Sequence, residues 1–361
     1  MASTLILSYG LGTGHNAVAS VLSEELGKLG HDVAISHLED WVPLDYDLLF
    51  RRGYLMLALR VPRVWDWMYS SNFFTRKEAL APACNRWRAA RAFGTDVIGD
   101  SDLVVACQYN AMEIAADWKK RTGATLKLAV VLTDWDVYPL WIRPEVDLYL
   151  IPHPDLGRLL LERGVGAERI AATGLPVSPV FERRSPSASM TKVALGLERD
   201  SRTALILGGG GGNGPLRECA ESVLSTEDWS AIVVCGKNDK LRRSFIPLAR
   251  RNPERLRVLG YRNDMRELME ASDVVVTKGG GVSLAEALYA GKRVIIVKGL
   301  PGQEKINTAF MAERGWVVPC NDPGELPTAL SAIVQREWEV PPLPPSPGRE
   351  GALALHRLAG G

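Results

Sequence analysis

Twice in this chain an apolar strand runs straight into a glycine turn and then into a helix. Residues 5–8 lead into Tyr9-Gly10-Leu11-Gly12-Thr13-Gly14-His15 and a predicted helix over 16–29. Residues 203–207 lead into Gly208-Gly209-Gly210-Gly211-Gly212-Asn213-Gly214-Pro215. A helix opened by such a turn has backbone N–H groups without intrahelical partners, at the positive end of its dipole. That is a seat for phosphate. The other strand-like runs of the first half are 32–36, 103–106, 126–132, 148–151 and 170–172, with a second helix over 154–163. In the second half they are 231–234, 256–259, 273–277 and 293–297. Strands alternating with helices predict parallel sheets with crossover helices. A length of 361 residues exceeds one ordinary core. The expected class is therefore α/β, two Rossmann-like domains facing across a cleft, with both glycine turns at the carboxyl ends of their sheets. The domains are drawn at 1–182 and 193–338, joined by a polar Pro/Ser linker at 183–192. A Pro-rich tail with a short helix over 351–358 fills 339–361, and no chemistry is assigned to it.

Composition removes several classes. With 43 basic and 42 acidic residues the chain has no excess charge for a dedicated nucleic-acid binder. Its five cysteines, Cys84, Cys107, Cys219, Cys235 and Cys320, show no metal-ligand spacing and fit reduced, buried thiols. The N-terminus enters a strand directly, so no signal peptide is expected. No apolar run is long enough to span a bilayer. A cytoplasmic protein, soluble or peripheral, is expected.

The most informative segment is Lys278-Gly279-Gly280-Gly281-Val282-Ser283, which turns strand 273–277 into a helix bearing Glu286. Phosphates seated on this turn place Glu286, about two turns in, near the hydroxyls of a nucleotide sugar. Gln303 and Glu304, after strand 293–297, supply carbonyl and carboxylate oxygens for a second sugar. The pattern is that of a nucleotide-sugar site. The run 208–212 is conformationally costly, so something must approach that backbone closely. Phosphate is the expected guest, and a flexible hinge is the other reading.

In the first half His15 sits where a helix N-terminus meets the expected cleft, and the dipole there favours the neutral imidazole. It reads as a general base or as a histidine bonded to its own turn. The turn itself also fits a dinucleotide site, but Ser36-His37 stands where such sites carry an acidic residue. Asp134 ends strand 126–132 and can accept the Nδ1–H of a catalytic histidine, take a proton itself, or cap the turn. Asp134-Trp135-Asp136 has the spacing of a metal-binding DxD, but no further acidic ligand accompanies it. His31 and His37 read as structural, and His153 between two prolines gets no role. Region 41–93 interleaves aromatics, including Trp41, Trp65, Trp67 and Trp87, with Arg51, Arg52, Arg60, Arg63, Arg76 and Lys77. Such a mixture suits a membrane interface or lipid groove, or the core of a helical insertion.

Taken in order, Gly12-Thr13-Gly14-His15, Thr133-Asp134, 173–177, 208–212, Gly260-Tyr261, Lys278 to Gly281 with Glu286, and Gly302-Gln303-Glu304 resemble one group of enzymes. It is the monogalactosyldiacylglycerol synthase and processive diacylglycerol glucosyltransferase group. These are GT-B enzymes related to the lipid II-forming N-acetylglucosaminyltransferase. The resemblance covers residues 4 to about 320. It implies inverting, metal-independent transfer of a hexose from a UDP-sugar to a lipid hydroxyl, with diacylglycerol as the expected acceptor and no cofactor. Tyr261, Arg262 and Met265 would contact uracil, Glu286 the ribose, and Gly210, Gly211 and Gly212 the diphosphate. The turn of Lys278, Gly280, Gly281, Val282 and Ser283 completes the donor site, with Gln303 and Glu304 on the donor sugar. The first half would bind acceptor through Gly12, Thr13, Gly14, Trp65 and Trp67, with His15 as base and Asp134 its partner. The protein would work peripherally on the anionic inner face of a membrane. The chain departs from the group in having Gly279 where proline often follows the lysine, and Asn16 where a basic residue often follows the histidine. The alternatives are transfer to a soluble acceptor, a UDP-sugar 2-epimerase, and a non-catalytic UDP-sugar-binding protein.

Overall fold

The computed structural model describes residues 2–9, 13–40, 61, 63, 64, 67, 96–182, 188–297, 302–335, 337–339 and 341–361. They form two units, one of Met1–Ser178 with Leu343–Gly361, the other of Pro179–Pro342. Each holds a six-stranded sheet.

In the first unit the strands are β1 (Ser3–Ser8), β2 (Asp32–His37), β3 (Leu103–Ala106), β4 (Lys127–Val131), β5 (Leu148–Ile151) and β6 (Ile170–Ala172). They lie in the order β2-β1-β3-β4-β5-β6, and all pairs are parallel. The interior strands are continuous apolar runs, as strands covered by helices on both faces must be; β3 is buried throughout. The edge strand β2 is largely open and correspondingly more polar. Helix α1 (Thr13–Lys28) joins β1 to β2. The chain then crosses to the other side of β1 to form β3, so the order reverses between β1 and β3. Helices α2 (Tyr109–Thr122) and α3 (Pro154–Leu161) follow β3 and β5.

The second unit repeats the plan with β7 (Arg202–Leu207), β8 (Trp229–Val234), β9 (Leu256–Leu259), β10 (Val274–Thr277), β11 (Arg293–Val297) and β12 (Val318–Cys320). Their order is β12-β11-β10-β7-β8-β9, again all parallel, with the reversal between β7 and β10. Its helices include α4 (Leu216–Leu224), α5 (Met265–Glu270), α6 (Gly281–Tyr289), α7 (Gln303–Glu313) and α8 (Leu326–Gln335). Ile206, Val233, Val276, Ile295, Leu326 and Leu330 share its core. One detail marks the two units as variants of one plan. The Ser3 amide donates to Asp102 Oδ2 at 2.8 Å, and the Thr203 amide donates to Asp273 Oδ2 at the same distance. In each case the aspartate precedes the strand across the reversal point.

Three features differ from the sequence expectation. Strand β12 (sequence VPC) is too short, and too interrupted by Pro319, to show any periodicity. Residues 188–194, partly inside the expected linker, form a helix of the second unit. The tail is not an appendage: α9 (Pro347–Leu358) begins four residues earlier than expected and packs against α1. Glycines make that approach possible. A β-carbon at Gly348 would lie 2.7 Å from Val21 Cγ1, and one at Gly351 would lie 3.2 Å from Leu22 Cδ2. At the far end His356 Nδ1 meets His31 Nε2 at 2.9 Å, and His31 Nδ1 lies 2.8 Å from Thr4 Oγ1. Cys107, Cys219, Cys235 and Cys320 are buried free thiols. Burial pushes them up to about 12, 12, 11 and 11, which leaves them unreactive at neutral pH. Cys84 lies outside the described residues.

Candidate active site

In the first unit the chemistry gathers at the carboxyl ends of β1, β3 and β4, beside the reversal point. His15, on the first turn of α1, points Nδ1 at the Cys107 carbonyl, 2.8 Å away at the end of β3. Thr133 Oγ1, just past β4, lies 3.2 Å from the same nitrogen. A carbonyl only accepts, so Nδ1 carries the proton and Nε2 is left with its lone pair. Desolvation lowers the imidazole pKa and outweighs the Cys107 carbonyl, which raises it. The helix dipole acts in the same direction as desolvation. The product is a neutral histidine whose remaining nitrogen can take a proton.

Asp134 follows Thr133 and is half-buried; burial raises the carboxyl of Asp136, and the charge of Asp134 adds to that rise. The group holding His15 Nδ1 is thus a main-chain carbonyl with a threonine hydroxyl beside it. The motif reading did not anticipate the carbonyl, because main-chain acceptors leave no trace in residue type. Gly14 lies in the first turn of α1 and Thr13 begins it. Gly12 and Trp65 fall outside the described residues, while Trp67 is 59% exposed.

In the second unit the glycine turn after β7 and the Lys278 turn after β10 flank the reversal point, since Leu207 pairs with Thr277. Much of the close approach predicted for the glycines comes from the protein itself. At Gly212 (φ 61°) a β-carbon would collide with the Cys235 carbonyl, and at Gly236 (φ 57°) with that of Gly210. The turn also closes on itself, the Asn213 amide donating to Gly208 O at 2.9 Å. A plain hinge does not fit a loop locked in this way. Gly210 is half-buried and Gly211 is exposed.

Gly280 caps α6 with extended backbone and no side-chain hydrogen bond, so the amides of Val282 and Ser283 have no intrahelical acceptor. The departure at Gly279 has a steric cause, because a β-carbon there would collide with the Glu304 carbonyl. Asn307, fully buried, ties α7 to this turn by donating from Nδ2 to Gly279 O at 2.9 Å. Lys278 Nζ donates to Glu304 Oε1. Gly302 (φ 86°) opens α7, with Gln303 and Glu304 on its first turn. Asn307 went unnoticed in the sequence, although it lies one helical turn from those two residues.

Glu286 stands out electrostatically. Desolvation alone raises its carboxyl to about 7, and no donor among the described residues compensates. A carboxylate in that condition gains most from hydroxyl donors brought by a ligand. Tyr261, past β9, is exposed with Lys237 Nζ 5.5 Å from its ring centroid. Arg262 Nε donates to Asp264 Oδ1 at 2.7 Å, and Met265 opens α5.

Comparisons with known proteins agree with this plan. Residues 15–177 match the monogalactosyldiacylglycerol (MGDG) synthase family, and residues 218–341 match the glycosyl transferases group 1 family. The processive diacylglycerol beta-glucosyltransferase of Bacillus cereus is 27% identical over 352 residues, covering 93% of this chain and 86% of that protein. Among solved structures, MurG of Acinetobacter baumannii superimposes with a TM-score of 0.58 at 14% identity, over 100% of this chain and 99% of that one. Anabaena Alr3699/HepE, solved in complex with UDP and glucose, gives a TM-score of 0.54 at 14% identity, covering 100% and 98%. Two parallel six-stranded sheets, together with these matches, define a GT-B glycosyltransferase. Within that class its first half resembles the monogalactosyldiacylglycerol synthase family, and its similarity to the processive diacylglycerol beta-glucosyltransferase spans most of both chains.

Proposed function

We propose that the protein transfers a hexose from a UDP-sugar to a lipid hydroxyl, with diacylglycerol as acceptor and inversion at the anomeric carbon. The observation that carries this reading is the 2.8 Å contact of His15 Nδ1 with the Cys107 carbonyl, which requires the proton on Nδ1 and leaves Nε2 to act as base. His15 Nε2 takes the acceptor proton as the hydroxyl oxygen attacks the anomeric carbon. The bond from that carbon to the diphosphate oxygen breaks, and UDP leaves with the electron pair. Base assistance of this kind contributes about 10²–10⁴-fold.

The donor reading is supported by the second unit. Glu286 takes the ribose hydroxyls, and the diphosphate lies on the glycine turn and the α6 amides. Those donors are aimed at the charge that develops on leaving UDP, so no metal is needed to neutralise it. Gln303 and Glu304 hold the donor sugar. Diacylglycerol is favoured by the Bacillus cereus relative, whose name specifies that acceptor. Peripheral attachment to the inner face of an anionic membrane is favoured by the exposed Val61, Val64 and Trp67, at 42%, 48% and 59%. No helix among the described residues is long and apolar enough to cross a bilayer.

The test is product analysis by mass spectrometry after incubation with diacylglycerol vesicles and a panel of UDP-sugars. A glycosyl-diacylglycerol formed with one donor is expected. UDP release without any glycolipid would retain the donor half and reject the lipid acceptor.

A further inference from the structure

We propose that Lys237 binds the diphosphate of the donor and takes up charge that develops on it as the glycosidic bond breaks; this rests on the donor reading above. Lys237 follows Gly236 at the carboxyl end of β8 and belongs to none of the motifs that mark the site. Its backbone is locked to the glycine turn. Gly236 abuts the Gly210 carbonyl so closely that any β-carbon there would collide with it, and the Lys237 amide donates to that same oxygen at 3.0 Å. The base of the side chain is therefore fixed beside the segment proposed to carry phosphate.

The charges around that segment differ in what already holds them. Lys278 packs its stem toward Gly209, where a β-carbon would lie 3.7 Å from Lys278 Cε, but its ammonium is bound to Glu304. Arg262 is bound to Asp264. Lys237 is exposed, and among the described residues no carboxylate pairs with it. Its ammonium lies instead 5.5 Å from the centroid of the Tyr261 ring. A cation on an exposed aromatic face is held weakly, so moving it to a phosphate costs little. A phosphate oxygen offers a charge-assisted hydrogen bond in return. The turn amides contribute only partial charges. Lys237 adds a whole one, a compact point charge of the kind that suits phosphate.

The experiment is calorimetric titration of UDP and of uridine into the wild type, Lys237→Met and Lys237→Arg. The side chain is exposed, and unfolding midpoints verify that the variants fold. Losing one charge-assisted bond should weaken UDP binding about 10- to 100-fold in Lys237→Met. Uridine binding should be unchanged, and Lys237→Arg should recover most of the UDP affinity. Unchanged UDP affinity in Lys237→Met would overturn the inference. So would an equal loss for uridine, which would mean that the lysine acts only through Tyr261. A wild type that binds neither ligand would reject the donor reading itself, and this inference with it.

Discussion

Replacing Glu286 with glutamine separates the stability of the free protein from the affinity of its donor site. The carboxyl is raised from 4.5 to about 7 by desolvation, so the folded state holds its proton more tightly than the unfolded chain does. The sign follows from that difference. The folded protein suffers no penalty below pH 4.5, loses stability progressively between 4.5 and 7, and carries the full cost above 7. That cost has a ceiling of about 3.5 kcal/mol, from about 1.4 kcal/mol for each pH unit of difference. Glutamine keeps the shape and has no charge to desolvate. At pH 8 the Glu286→Gln protein should therefore be more stable than the wild type, by up to about 3.5 kcal/mol in urea unfolding, and the gap should close by pH 4.5. Ligand binding should move the opposite way. Ribose hydroxyls donate to the carboxylate, so uridine should bind more tightly to the wild type as pH rises through 7, releasing a proton. Uridine is the right probe because a phosphate titrates near pH 6, inside the same window. In the glutamine variant uridine affinity should fall about 10-fold or more and lose its pH dependence. A stability gap that does not vary with pH would show that the carboxyl is not desolvated. Equal uridine affinity in both proteins would remove Glu286 from the ribose site.

Other outcomes follow from the same geometry. His15→Ala should lower transfer by about 10²–10⁴-fold while leaving UDP affinity intact; calorimetry beside turnover separates the two, and unchanged turnover would exclude the base role. Because desolvation lowers the His15 pKa, the acid limb of the wild-type rate profile should lie below pH 6.5. Stability contributed by the neutral ring is likewise present above 6.5 and lost as pH falls through the lowered value. Gly212→Ala should destabilise the second unit by about 2 kcal/mol or more, since it adds a backbone collision to a positive φ; an unfolding midpoint equal to wild type would contradict the locked turn. Turnover in excess chelator should match that without it, and a loss restored by a divalent cation would replace the amide-based account of the leaving group.

Much of the plan was legible because its signals are local. Apolar runs such as Val274–Thr277 declare buried parallel strands, and a glycine turn before a helix declares exposed amides. Lys278 to Glu286 and Gln303-Glu304 could be singled out for the same reason, since residue type and spacing are enough to show where charge and donors concentrate. Strand β12 and the start of α9 were missed where proline and short length erase periodicity.

Residue order and type alone specify the two α/β halves, the turns that open their helices, and the residues able to do chemistry there. What those residues touch depends on the folded chain. The strand-order reversals bring the turns after β7 and β10 together across about 70 residues of chain. His15 meets Cys107 and Thr133 at separations of 92 and 118 residues, and that contact sets which nitrogen is basic. Glu286 became a desolvated acid, and Lys237 a cation without an acidic partner among the described residues, through tertiary surroundings rather than through their neighbours in sequence. The reason is physical. Backbone propensity and periodicity act over a few residues, whereas desolvation, tautomer and ion pairing depend on atoms that only the folded chain brings within a few ångströms.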